Sequence, residues 1–172
     1  MYTTESEILD GCRNGERIAQ RALYDQYKSQ MYTLAYRITG NFEDAEDVLQ
    51  EGFLKVFRSI DSFRGDSKAG TWIHTIMART ALARVKNKMQ FTDLEIVPEV
   101  ADESNYLSVE SEYLEKAILA LPDGYRSIFT LYEIEGFKHR EIAELLEISE
   151  NTSKSQLHKA KRMLQDKLKP EM

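Results

Sequence analysis

The sequence predicts an all-α protein of two small helical domains joined by a flexible acidic linker, on three observations. Glycine and proline are scarce, eight and three in 172 residues, too few turns for a many-stranded sandwich or barrel. Apolar residues recur at three- and four-residue steps over most of the chain, the period of one helix face. That period lapses between Gln90 and about Glu110, where Pro98 and a run of acids stand, and resumes beyond it. A chain of this length suits one average domain or two small ones, and the lapse selects two.

Leu23, Tyr27, Met31, Leu34 and Ile38 step by four, four, three and four residues, and Gly40 supplies a stop. Asn41 is a natural N-cap for the next helix, whose first turn carries Glu43 and Asp44 at the positive end of the dipole. Leu49, Phe53, Val56 and Phe57 share one face of that helix. A loop at 61–70 follows, then a helix from near Thr71 with Trp72, Ile76, Thr80 and Ala83 on one side, Trp72 being read as core. Residues 5–90 thus predict a helical bundle and 91–110 the linker. From 111 to 169, Leu114, Ile118 and Leu121 open a second domain. Pro122-Asp123-Gly124 predicts a turn, Ile128, Leu131 and Tyr132 the next face, Gly136 a stop, and two helices follow at 139–146 and 150–168.

The 23 Lys+Arg against 29 Asp+Glu leave a net charge of −6, which taken alone argues against a nonspecific nucleic-acid coat or a membrane-surface protein. Along the chain the charges separate. Five acids and no base lie between Glu43 and Glu51; six bases and one acid lie between Arg64 and Lys88. Eight acids and no base lie between Asp93 and Glu115, and six bases and one acid between Lys154 and Lys169. Two basic segments are therefore set apart by acidic ones.

Several classes are excluded. Cys12 is the one cysteine, so no intramolecular disulfide, thiolate zinc cluster or CxxC pair is possible. His74, His139 and His158 stand apart, and no HExxH, P-loop, GxGxxG or GxSxG occurs, so neither catalysis, a metal nor a cofactor is expected. The polar N-terminus lacks a signal-peptide core and no apolar run would span a membrane. A soluble, cytoplasmic protein without membrane insertion is the expectation.

The most specific pattern lies near the C-terminus. Glu141 to Leu146 reads as a short amphipathic helix, Glu147-Ile148-Ser149 as a tight turn, and Ser149 as the cap of a helix burying Leu157, Ala160 and Leu164. Thr152, Lys154, Ser155, Gln156, His158, Lys159 and Arg162 are placed on or beside its exposed side. This is the pattern of a helix-turn-helix, whose second helix enters the major groove. There Gln would pair with adenine and Lys with guanine, while later Lys and Arg meet phosphate. A helical hairpin with a solvated basic face meets the same pattern.

Leu121 to Leu146, followed by Ser149 to Lys161, resembles region 4 of an extracytoplasmic-function (ECF) RNA polymerase sigma factor. Asp44 to Phe57 resembles the region 2 helix that docks on polymerase; Phe63-Arg-Gly-Asp-Ser67 and Thr71-Trp-Ile73 resemble the loop and helix that meet the −10 element. The resemblance covers nearly the whole chain. It implies a factor that binds core RNA polymerase through the clamp helices and flap region and initiates transcription of a dedicated gene set. Residues 5–90 would then serve polymerase docking and −10 recognition, and 111–169 the −35 element.

The residues suit those roles. The acidic helix would be repelled by phosphate but suits protein docking, through Asp44, Asp47, Gln50 and Glu51. Phe63, Arg64, Asp66 and Ser67 offer a π-face, a cation and hydrogen-bonding groups to an unstacked base. Arg79, Arg84, Lys86 and Lys88 would track the non-template single strand. The chain departs from the family pattern at Ala69, Arg79 and Ala83, and at Glu147, which stands where the turn usually has glycine. The family's usual regulator, an anti-sigma factor, is an expected partner beside duplex promoter DNA. Two other readings share parts of the pattern: a simple helix-turn-helix regulator, and an adaptor that binds polymerase or a sigma factor without reading DNA.

Overall fold

The computed structural model describes residues 1–86 and 111–169; the linker expected at 91–110 and Lys88 lie outside them. Among the described residues every regular element is a helix. The chain divides into two compact units, Met1–Arg84 and Val85–Met172.

The first unit holds α1 (Glu5–Arg13), α2 (Arg17–Thr39), α3 (Phe42–Arg58), a 3-10 turn at Ile60–Ser62 and α4 (Ala69–Val85). Its helix ends carry their own signals. Thr4 opens α1 with a capping box: its hydroxyl accepts from the Glu7 N–H at 3.2 Å, and the Glu7 carboxylate accepts from the Thr4 N–H at 3.2 Å. Gly40 closes α2 at φ 80°, a left-handed conformation, donating its N–H to the Tyr36 carbonyl at 2.8 Å. Asn41 then caps α3, as its position predicts, accepting from the Asp44 N–H at 2.8 Å.

Leu23, Met31, Leu34 and Ile38 of α2 pack with Val48, Leu49, Phe53 and Val56 of α3, all buried. Gly52 lets α3 and α4 approach closely, since a Cβ there would lie 2.4 Å from the Met77 sulfur. The expected phase of α4 needs correction. Ile73, Met77 and Ala81 face the core together with Thr80, while Trp72 and Ile76 are half-buried and Ala83 is exposed. Apolar residues surround most of α4, so spacing alone does not choose its inner face; the cleft beside Gly52 does.

The second unit holds α5 (Ser111–Leu119), α6 (Asp123–Phe129), α7 (His139–Leu146) and α8 (Glu150–Leu168). Ala117, Ile118, Leu121, Ala160 and Leu164 form one cluster of its core, joined by Leu114, Tyr125, Phe129, Met163 and Leu168; Ile128, Leu131, Ile142 and Leu157 are buried as well. The turn expected at Pro122-Asp123-Gly124 is instead a helix start: Pro122 flanks α6, and Asp123 sits in its first turn. Arg126 lies buried behind that start. It donates to the Leu121 carbonyl at 2.7 Å, to the Leu119 carbonyl at 3.4 Å and to the Asp123 carboxylate. The end of α5 is thereby closed by a side chain. Beyond α6 the chain makes one π turn, Thr130–Ile134, and Gly136 stops it at φ 76°.

Between α7 and α8 the backbone turns through Glu147, at φ 57° and ψ 44°. It is the one non-glycine residue with positive φ among those described, a strain of roughly 1 kcal/mol relative to glycine. Ser149 caps α8 as expected, accepting from the Thr152 N–H at 3.0 Å.

Candidate protein-docking and nucleic-acid surfaces

Three surfaces gather the residues singled out from the sequence. The first is the outer face of α3. Asp47, Gln50 and Glu51 are exposed and fall three and four residues apart, so they form one stripe. Leu54, next in that stripe, is 53% exposed; it is not among the residues the sequence pattern singles out, although it lies outside the buried set Leu49, Phe53 and Val56. Glu51 pairs with Lys55 at 3.0 Å. Asp44 is drawn further in and is partly covered.

The second surface is the loop before α4 with the outer side of that helix. Arg64, Asp66, Ser67 and Lys68 are exposed, and Gly65 takes φ 80° at the bend. Phe63 is not available as a free π-face: it is 9% exposed, its ring 5.2 Å from that of Trp72, and its carbonyl accepts from Arg13 at 3.1 Å. Burying an aromatic ring is worth more than leaving it in water, and Trp72 supplies the partner. Arg79 and Lys86 are exposed on or just beyond α4.

Arg84 is exposed too, but its guanidinium is already engaged by α3. Its Nε lies 3.0 Å from Asp44 Oδ1 and its Nη2 2.8 Å from Asp47 Oδ2. These carboxylates hold Arg84 still more firmly in its charged form. A residue expected on the DNA side is thus bound to two expected on the docking side.

The third surface is α8. Lys154, Ser155 and His158 are exposed; Thr152, Lys159 and Arg162 are half-buried. Asn151, which the sequence pattern does not single out, is exposed and completes the helical stripe 151, 154, 155, 158. Gln156, expected among the base readers, faces inward instead. It is 1% exposed and points into the unit with Ser153 and Leu157, because positions 153, 156, 157, 160 and 164 follow the inner face. The α7–α8 pair is pinned by His139, whose Nδ1 and the Ser153 Oγ are hydrogen-bonded at 2.8 Å. The Tyr132 ring stacks on His139 at 4.2 Å. Burial, then the charge of Lys154, pushes the His139 pKa below its usual value. Lys161 is committed to Glu133 at 2.5 Å.

An acidic outer face on one helical unit and a capped basic helix presented by a helix-turn-helix on the other make this a two-part all-α protein. Comparison with known proteins gives that class its family. Residues 23–90 match sigma-70 region 2, and residues 111–164 match sigma-70 region 4. The chain is 32% identical over 173 residues to the ECF RNA polymerase sigma factor SigW of Bacillus subtilis, covering 91% of this chain and 92% of that one. It is 29% identical over 185 residues to the ECF RNA polymerase sigma-E factor of Haemophilus influenzae, covering 98% and 97%. Its fold is similar to that of the sigma factor RpoE of Bartonella quintana, solved with the anti-sigma factor NepR. That similarity has a TM-score of 0.56 at 22% identity and covers 88% of this chain and 98% of that one.

The chain belongs to the ECF RNA polymerase sigma factor family, and it is an alternative sigma factor acting in transcription initiation. Among the described residues no helix is long and apolar enough to cross a membrane.

Proposed function

We propose that the first unit docks on core RNA polymerase through Asp47, Gln50, Glu51 and Leu54, with Asp44 behind them. The same unit meets the −10 element through Arg64, Asp66, Ser67 and Arg79, with Lys86 just past its boundary. The second unit reads the −35 element with Asn151, Lys154, Ser155 and His158, while Thr152, Lys159 and Arg162 flank the phosphates. The observation that carries this reading is the exposed stripe on α8, short polar side chains and one lysine at helical spacing on a capped helix. Such a face reaches base edges in the major groove.

In this reading the chain supplies recognition and strand separation, and polymerase supplies phosphoryl transfer; the site of action is the cytoplasm. Each DNA contact can stay weak, because tethering two of them in one complex raises affinity through effective concentration. The net charge of −6 makes DNA binding by the free chain weak, with specificity appearing in the polymerase complex. An anti-sigma factor is the regulator this reading implies, a partner that the Bartonella structure contains for its own sigma factor.

The test is transcription in vitro with cognate core polymerase and genomic promoter fragments. Promoter-specific initiation that depends on the chain is expected. Duplex binding without initiation would leave a simple helix-turn-helix regulator. Polymerase binding without promoter selection would leave an adaptor.

A further inference from the structure

The engagement of Arg84 gives this residue a role different from strand binding. Asp44 is anchored at the start of α3: its N–H donates to Asn41 Oδ1 at 2.8 Å, and its carboxylate accepts from Asn41 Nδ2 at 2.7 Å. Asp44 is 18% exposed, Arg84 40% and Asp47 54%. One arm of the guanidinium is therefore tied to a fixed, sheltered carboxylate, and the other reaches Asp47 at the head of the exposed stripe.

We propose that Arg84 is a positioning residue for polymerase docking, holding the Asp47 carboxylate in place on the outer face of α3 rather than contacting promoter phosphate. The proposal rests on the reading of α3 as the docking helix. Arg84 with Asp44 and Asp47 sums to one negative charge, so the cluster repels a phosphate instead of attracting it. Asp47 keeps lone pairs for a further donor, since an ionised carboxylate offers about four acceptor sites. A carboxylate already held gives up less side-chain freedom on binding, which amounts to roughly three- to tenfold in affinity. Arginine suits the task because its planar fork spans two carboxylates, where a lysine ammonium is a point charge.

The experiment uses the full chain with core polymerase. Core affinity is measured for Arg84→Met, Arg84→Lys, Asp47→Asn, the Arg84→Met/Asp47→Asn pair and Glu51→Lys. Promoter opening is measured with each holoenzyme at saturation, and thermal melts verify folding. Arg84→Met is expected to weaken core binding roughly three- to tenfold and Arg84→Lys less. The double variant should be no weaker than Asp47→Asn alone, because the two residues act through one contact. Opening by the saturated Arg84→Met holoenzyme should match that of the parent. A merely structural role would not produce that non-additivity or that split between binding and opening. The proposal is overturned if Arg84→Met leaves core affinity intact while Glu51→Lys lowers it, if the losses add, or if only promoter opening suffers. If Glu51→Lys and Asp47→Asn also leave core affinity unchanged, the docking reading fails and this proposal with it.

Discussion

Replacing Gln156 with methionine separates two incompatible roles for one side chain. Pattern places Gln156 among the base readers of α8, whereas the structure buries it to 1% exposure, with its Nε2 lacking a hydrogen-bond partner. An orphaned buried donor costs about 1–3 kcal/mol, and methionine has nearly the same length and shape without that donor. Allowing for imperfect repacking, Gln156→Met should stabilise the second unit by about 1 kcal/mol, a rise of about 4–8 °C in its midpoint for a domain this small. Promoter affinity of the holoenzyme should be unchanged, while Lys154→Ala, on the exposed stripe, should lose about 1–3 kcal/mol if it reads a base. The assays are a far-UV circular dichroism melt and promoter binding at fixed salt, since affinity without a stated salt concentration means little. A tenfold or greater loss of promoter affinity in a folded Gln156→Met protein would refute the inward placement.

Three further expectations follow from the same packing. Arg126→Met leaves two carbonyls and Asp123 without their donor; breaking such a buried pair costs about 3–5 kcal/mol, reduced here because Asp123 is 26% exposed. The helical signal of the second unit should be lost at a much lower temperature, while the fluorescence transition of Trp72, the single tryptophan and a residue of the first unit, stays in place. Gly11→Ala would bring a Cβ to 2.5 Å from the Ala19 Cβ, a rigid neighbour, and should destabilise the first unit by about 1–3 kcal/mol, read by the same Trp72 transition. His139 has a lowered pKa in the folded state, so the unfolded chain takes up the proton first. Stability is fully present above the unfolded value, about 6.5, and is lost as pH falls from there through the folded value; His139→Asn should flatten that dependence in melts at pH 7.5 and 5.5.

The local features were legible because short-range chemistry sets them. Gly40 at a left-handed stop, Asn41 and Ser149 as caps, and the α7–turn–α8 pattern depend on residues within a turn of one another. The acidic stripe of α3 was legible for the same reason, as were the exposed Lys154, Ser155 and His158. What failed was phase. On α4, apolar residues on most sides left the inner face to be chosen by the approach to Gly52. On α8, Gln156 is polar by type yet lies on the inward side, while Asn151, equally polar, faces out.

By itself the sequence determined that the chain is helical, that it carries two helical domains, and that its charges divide into acidic and basic surfaces. Only the tertiary structure decided that Phe63 spends its ring on Trp72, that Arg126 closes the end of α5, and that Arg84 is bound to Asp44 and Asp47 rather than presented to DNA. Periodicity and capping act over three or four residues, but a guanidinium forty positions away from Asp44 finds its partner only when two helices pack. Packing alone tells a charge that is offered from one that is already taken.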